Sequence, residues 1–502
     1  MKQQGFTIVE LLGVVILLAL LYFLFVPATI NLFQRSTIVI DQATEDIIIS
    51  QTRNYVESNL TTYPMVEGNI FCIPLLTLIQ AGYLGDYLYD ASNFQEYNEN
   101  KIIEVVVAEE LEIYIIEDQQ CEVYTVNPGF IDQSGANPPI LKNQMIPVYW
   151  NSGWIVADRD DDWYNYKEKR WANAVLVKSE HRAMYINSPD IMIDDNDILA
   201  HFVWIPRYRY KIFNSHDLIS EREVNIQFEH RYIKKSSGEV VGQWLTHPAF
   251  SQNNRELHGF WVGKFITTGT NAVPTILPNS TMLRSNNMST QFDIAKLIGS
   301  ENYGLNFDSK IMRNTEWGAV AYLAHSKYGI KDEIWVNPNS NYQTGCVWGS
   351  VNQGSTSNCE QYHTVEGVLG STTGTVYGVY DMSGGAWERV LGVMLDSDGE
   401  NIQELQAGFG NILNNEEFLL NFDIYQYGTS STHYQRRILG DSSGETAEWY
   451  DNMAVMPYGG SYSWFLRGGD YSMQSAAGIF AFATDSGNAA INTGFRITIP
   501  IY

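Results

Sequence analysis

From Phe6 to Val26 the chain runs through 21 almost wholly apolar residues. A helix of that length reaches about 30 Å, the thickness of a bilayer's hydrocarbon core, so the run predicts one membrane crossing. It is longer than the apolar core of a secretory signal peptide and lacks the small-residue cleavage site that would follow one. Lys2 precedes it, which predicts a cytoplasmic N-terminus with everything after Val26 outside. Glu10 breaks the pattern. A carboxylate among lipid tails destabilises by roughly 2.5–3.5 kcal/mol, and no cation follows until Arg35. Cleavage after Gly5 would create an α-amino group on Phe6, and that group on a neighbouring copy would neutralise Glu10. The unpaired acid therefore points to assembly.

The stretch "GFTIVELL", the apolar run and Pro27 resemble the prepilin signature of type IV pilins and pseudopilins. The resemblance implies a prepilin peptidase that cuts after Gly5, methylation of Phe6, pairing of Glu10 with the amine of an adjacent subunit, and a helix kink at Pro27. It implies residues 1–5 as the leader. The segment after Pro27 keeps apolar residues at helical spacing without Gly or Pro, so one long helix is expected over 6–60. "IPLLTLIQAGYLGD" reads as a short helix ended by Gly82 and Gly85, and resembles a segment that follows the long helix in Gram-positive pilin-like proteins. With the β-rich runs "KIIEVVVAEELEIYIIE" and "CEVYTV", residues 61–140 are expected to form a pilin-like αβ module and linker.

"NPGFIDQSGANPP" is the first Gly/Pro/Asn-rich break. Beyond it, 141–241 is dense in Trp and Tyr and reads as short antiparallel strands. Its aromatics offer either a sugar-stacking face or, as strand aromatics more often do, a core.

From 242 to 502 "GFWVGKFITTG", "IMRNTEWGAVAYLAHSKYG", "GVYDMSGGAWERV", "RGGDY" and "GFRI" follow one another. In that order they resemble the formylglycine-generating-enzyme-like domain, a variant of the C-type-lectin fold. The resemblance implies a structural core role for Trp387 and Glu388 and identifies Arg467 and Arg496 with the family's motif arginines. Enzymes of that family hold copper with two cysteines ahead of the terminal GFR, because Cu(I) wants soft thiolates. Here "SMQSAAGIFAFATDSGNAAINTGFR" contains no cysteine. The fold class expected for the whole chain is therefore α+β: a long N-terminal helix, a small αβ module, a β-rich region and a C-type-lectin-like domain.

A formal charge of −26, with no Lys/Arg stripe, argues against nucleic acid as a partner. The four cysteines, Cys72, Cys121, Cys346 and Cys359, lack metal-ligand spacing. Outside the membrane they read as two disulfides, Cys346 with Cys359 and Cys72 with Cys121; four reduced thiols are the alternative. His247, His258, His325 and His363 are scattered without a catalytic motif. Two acidic loops offer oxygen ligands for Ca²⁺, "DRDDD" with Asp158, Asp160 and Asp161, and "DSDGE" with Asp396 and Asp398. Solvated turns are the preferred reading of both, because Asp and Gly are ordinary turn residues. The second is no EF-hand, since its twelfth position is Ala407. No resident cofactor is expected, and the lectin tripeptides EPN, QPD and WND do not occur.

The sequence reads as a non-enzymatic pilus or pseudopilus subunit, minor or at the tip, inserted in the cytoplasmic membrane before assembly and displayed on the surface afterwards. Its partners would be other pilin subunits, the prepilin peptidase and an extracellular glycan or protein. A membrane-tethered enzyme and a pseudopilin of a secretion or DNA-uptake system are the alternatives.

Overall fold

The computed structural model describes residues 44–66, 69–85, 89–90, 95–96, 101–107, 111–116, 129–212, 223–231, 235–236, 243–252, 255–397, 407–409, 421–427 and 438–501. Strands dominate them, which corrects the α+β expectation. The described residues at the N-terminal end contain one helix of 15 residues, 44–58, in place of the long helix over 6–60. Hydrogen-bonded turns at Asn59–Tyr63 follow it directly, ahead of Pro64, whose ring disfavours helix in the residue before it. Residues 6–43, with Phe6, Glu10 and Pro27, lie outside the described residues, as do leader residues 1–5 with Gly5. Among the described residues no helix is long and apolar enough to cross a membrane.

The chain divides into two compact units, Met1–Asn127 and Pro128–Tyr502. In the first, Ile70–Pro74, Ile102–Val107 and Leu111–Ile116 pair antiparallel in that order. Ile102–Val107 alternates half-buried and buried, as a strand with one covered face must. Ile48 and Val56 of helix 44–58 are fully buried, and Arg53 donates to the Leu111 carbonyl at 3.1 Å.

In the second unit the largest sheet has seven antiparallel strands, in the order Lys310–Ile311, Ile497–Ile501, Gly259–Gly263, Ile198–Pro206, Asn173–Val177, Ile146–Trp150, Trp154–Val156. It draws strands from both sides of residue 242. A mixed five-stranded sheet is built around Trp387–Met394, with Asp423–Tyr425 and Thr493–Phe495 parallel to it and Trp464–Gly468 antiparallel. Gly478–Asp485 completes it. Trp387–Met394 is buried at all eight positions, so it lacks the apolar–polar alternation of a one-sided strand, and its charged residues Glu388 and Arg389 are buried with the rest. Helix Asn314–Ala324 is likewise buried at every residue. Its Gly318 lets the backbone of Gly440 and Asp441 come so close that a Cβ would lie 1.9 Å from the Gly440 carbonyl oxygen.

The aromatics of 141–241 lie mainly in this core: Trp154, Trp163, Trp171 and Trp204 are all buried. Lys264 is buried with them, its ammonium donating to Asn173 Oδ1 at 2.8 Å and to the carbonyls of Val376 and Gly378 at 2.6 and 3.0 Å.

Candidate functional site

The first acidic loop borders a cleft of about 460 Å³. Its walls come from 141–147, from the residues after strand Trp154–Val156, and from the arm 186–189. Backbone bonds hold these pieces in place, from Ala157 N–H to the Pro147 carbonyl and from Asp190 N–H to the Val156 carbonyl, each 2.9 Å. Gln144 and Asn187 line it in left-handed conformations, with φ of 71° and 57°. Asp158 and Asp160 both line the cleft, and Asp158 Oδ1 accepts the Asp160 N–H at 3.0 Å. Asp161 is not part of the wall; its Oδ1 accepts the Asp162 N–H at 2.8 Å. Asp162 in turn takes a two-pronged bond from Arg170, 2.9 Å to each oxygen. Exposed Arg159 brings a cation to the rim. This mixture of carboxylates, amides and a guanidinium is suited to a polar ligand. Among the described residues no three His, Cys, Asp or Glu side chains form a group that could hold a metal ion.

At the second acidic loop Asp398 lies outside the described residues. Asp396 accepts a hydrogen bond from the Gly460 N–H. That bond ties down a turn whose Gly459 and Gly460 take φ of 83° and 62°, a conformation glycine adopts without steric penalty. The turn carries Tyr458 and Tyr462, 40% and 46% exposed, with ring centroids 5.7 Å apart. Tyr427, 45% exposed, approaches Gly459 so closely that a Cβ there would lie 3.1 Å from its ring. Ser463 Oγ donates to the Gly460 carbonyl at 2.9 Å and Thr484 Oγ1 to the Tyr462 carbonyl at 2.7 Å, so the turn is held on both sides. The sequence reading missed this face. Its only local signal is the hexapeptide "YGGSYS".

Cys346 and Cys359 form a disulfide that closes the 346–359 loop. Cys72 is also disulfide-bonded, and Cys121 lies outside the described residues.

The motif arginines are interior groups. Arg496 stands where the chain passes from Thr493–Phe495 in one sheet to Ile497–Ile501 in the other. It donates to Glu388 at 2.5 and 3.0 Å, and to the carbonyls of Gly263 and Tyr380, both at 2.8 Å. Burial outweighs the Arg496 charge and pushes the Glu388 carboxyl up to about 7. Arg467 lies over the rings of Trp317 and Phe482 and donates to Ser442. Burial lowers it to about 10. Glu445 is buried too, accepting from Tyr210 at 3.0 Å, from Tyr322 at 3.0 Å and from the Gly440 N–H at 2.5 Å. Burial raises it to about 7.

His247 is buried among Tyr208, Tyr210 and Tyr322, and burial lowers it to about 3. His258 packs on His230 and is lowered by burial as well. His325 is buried against Phe480, whereas His363 is exposed beside Trp150. A pair that the sequence did not disclose is His181 Nδ1 with Asp197 Oδ1 at 2.5 Å, with Tyr185 donating to the other oxygen at 2.7 Å.

No protein-family model and no curated protein matches the chain. Among solved structures it is similar to Treponema denticola variable protein 1, at 10% identity and a TM-score of 0.24 over 60% of this chain and 95% of that one. It is also similar to the Major Tropism Determinant U1 variant, at 11% identity and a TM-score of 0.24 over 80% and 82% of the two chains. A third is the I1 variant of the same determinant, at 10% identity and a TM-score of 0.25 over 80% and 81%. Likenesses at these scores carry no argument about this chain.

Proposed function

We propose that this chain is a type IV pilus or pseudopilus subunit whose second unit binds a partner outside the cell. One observation carries the reading: Gly5, Phe6 and Glu10 stand in prepilin spacing at the head of the apolar run Phe6–Val26. In that arrangement the acid inside the run gains a counter-charge only by meeting the new amine of a second copy. On this reading the precursor resides in the cytoplasmic membrane and its C-terminal mass is extracellular. The similarity of 242–502 to formylglycine-generating-enzyme-like domains belongs to the same proposal, without the copper thiolates. Support for binding comes from the polar cleft at Asp158 and the tyrosine face at Asp396, both of which present recognition groups to solvent.

The test is the mass of the mature N-terminus after co-expression with a prepilin peptidase. A chain that begins at N-methylated Phe6 supports the reading. Retention of Met1 under those conditions overturns it.

A further inference from the structure

We propose that Arg284, held between Tyr342 and the Ile491 carbonyl, anchors a docking site for a protein surface that presents an Asp or Glu side chain. The inference rests on the binding reading above and names the partner's chemistry. The Arg284 guanidinium carbon lies 3.7 Å from the centroid of the Tyr342 ring, and Tyr471 meets that ring edge-on with centroids 5.0 Å apart. Nε donates to the Met282 carbonyl at 3.3 Å and Nη1 to the Ile491 carbonyl at 2.5 Å. The segments that carry these groups are tied down as well. Met282 N–H donates to the Tyr342 carbonyl at 2.9 Å, Ser285 N–H to the Ala490 carbonyl at 3.1 Å and Tyr471 N–H to the Gly385 carbonyl at 2.9 Å. Tyr342 takes φ of 57°, a left-handed conformation that is uncommon for a bulky side chain and persists where the surroundings enforce it. The cation is fixed before any partner arrives, which lowers the ordering cost of binding.

Charge decides what kind of partner fits. Both side-chain hydrogen bonds of Arg284 go to carbonyls, and among the described residues no carboxylate pairs with it. Arg170, Arg207, Arg313, Arg389 and Arg496 each have such a partner. Arg182 and Arg467 make no ion pair either, but both are buried. Arg284 is half-buried beside Ile491, whose side chain is 69% exposed. Burial is the largest influence on its guanidinium and lowers it from the ordinary arginine range, so an added carboxylate meets a partly desolvated cation. Nearby Asp470 is already held by Ser472 and Asn492. Its charge bears on Tyr342 and disfavours a doubly charged phosphate, whereas a single carboxylate matches the one guanidinium fork with two parallel bonds. Tyrosine and arginine are also the side chains that most often anchor protein interfaces, and exposed Ile491 adds an apolar contact next to them.

The experiment is a ligand-observed NMR titration of the purified full chain with the peptide acetyl-Gly-Glu-Gly-amide. It is run in about 150 mM salt, which screens the chain's overall negative field beyond about 8 Å and a half-buried contact much less. Acetyl-Gly-Gln-Gly-amide is the neutral isostere, and glucuronic acid is a sugar with the same carboxylate. The Glu peptide should bind about tenfold more tightly than the Gln peptide. Arg284→Gln should abolish that preference. Arg284→Lys keeps the charge but loses the fork and the stacking, and should recover only part of it. Tyr342→Phe should bind within about twofold of the parent, because the ring remains. Thermal unfolding of each variant verifies the fold, and the comparison of the two peptides on the parent needs no variant at all. Equal binding of both peptides by the parent, or a preference for Glu that survives Arg284→Gln, would overturn the proposal. Binding of glucuronic acid without binding of the Glu peptide, or binding of neither, would overturn it too. The N-terminal mass of the same preparation is independent of these outcomes, so failure of the docking site is distinguishable from failure of the pilin reading.

Discussion

Two regions of the second unit use ionic groups in opposite ways. At the passage between the two sheets, Arg496 and Glu388 are both fully buried and every donor of the guanidinium fork that bonds there meets a named acceptor. In the loop 158–162 the carboxylates stand in water, held by turn hydrogen bonds and by one half-buried partner, Arg170. The charges are alike and the surroundings are not. An exposed ion pair contributes about 0.2–1 kcal/mol. Removing one member of a buried pair leaves the other uncompensated and loses roughly 3–5 kcal/mol. Which acids of this acidic chain carry its structure is therefore decided by burial, not by how many there are.

The largest expected effect follows at that passage. Glu388→Ala should destabilise the second unit by roughly 3–5 kcal/mol, read from the urea midpoint at constant slope. Arg496→Met should lose as much, since it also strands the carbonyls of Gly263 and Tyr380. The double variant Glu388→Met/Arg496→Met sharpens the point. Recovery of most of the loss would show that the charges oppose each other's burial more than they add net stability. A loss below about 1 kcal/mol for Glu388→Ala, the range of a surface pair, would erase the contrast between the two regions.

The buried side of that contrast is partly legible in sequence. "GAWERVLGVM" places a glutamate and an arginine inside an apolar run, and the family resemblance singles out Glu388 and Arg496 as residues of one domain. Their meeting depends on the chain crossing between sheets at residue 496, which no local pattern encodes. The closure of 346–359 is legible because the two cysteines bracket one polar loop. The tyrosine face is not, since it needs Asp423–Tyr425 to pair in parallel with Trp387–Met394 and so carry Tyr427 to Gly459. The cleft likewise gathers three segments that are up to 48 residues apart in sequence, from Leu141 to Pro189. Over 44–58 helical periodicity and structure agree, but extrapolating it across the whole of 6–60 set the fold class wrong, because strands outweigh helices in the described residues that follow.

Glu445 lies between the two extremes, buried like Glu388 but held by phenols instead of a cation. Burial is the largest influence on it and raises its carboxyl from 4.5 to about 7. Below about pH 4.5 the folded and unfolded chains both hold the proton; between about 4.5 and 7 only the folded chain does; above about 7 neither does. Stability contributed by this group is thus full in acid and lost as pH rises through about 7. At about 1.4 kcal/mol per unit, the change is on the order of 3 kcal/mol. Glu445→Gln, which cannot ionise, should gain stability relative to the parent by that order between pH 4.5 and 8. The difference between the two urea midpoints isolates it from other titrating groups. A difference that stays flat across this range would mean that the phenols and the Gly440 N–H satisfy the ionised carboxylate as fully as water does.

The smallest effect belongs to the exposed loop. Asn in place of Asp158 still offers an Oδ1 to the Asp160 N–H, so the turn survives the exchange and only charge is removed. Asp160 lines the same cleft and is as exposed as its neighbour. Asp158→Asn/Asp160→Asn should therefore leave unfolding stability within about 0.5 kcal/mol of the parent, the range of surface changes. Calorimetric unfolding measures it, first in EDTA and then with millimolar Ca²⁺. If calcium raises the parent's midpoint and not the variant's, the loop binds the ion, because a ligand held only by the folded state stabilises it in proportion to the logarithm of its concentration. A loss of more than 1 kcal/mol in EDTA alone would instead place these two carboxylates on the structural side of the comparison, with Glu388, although both stand in water.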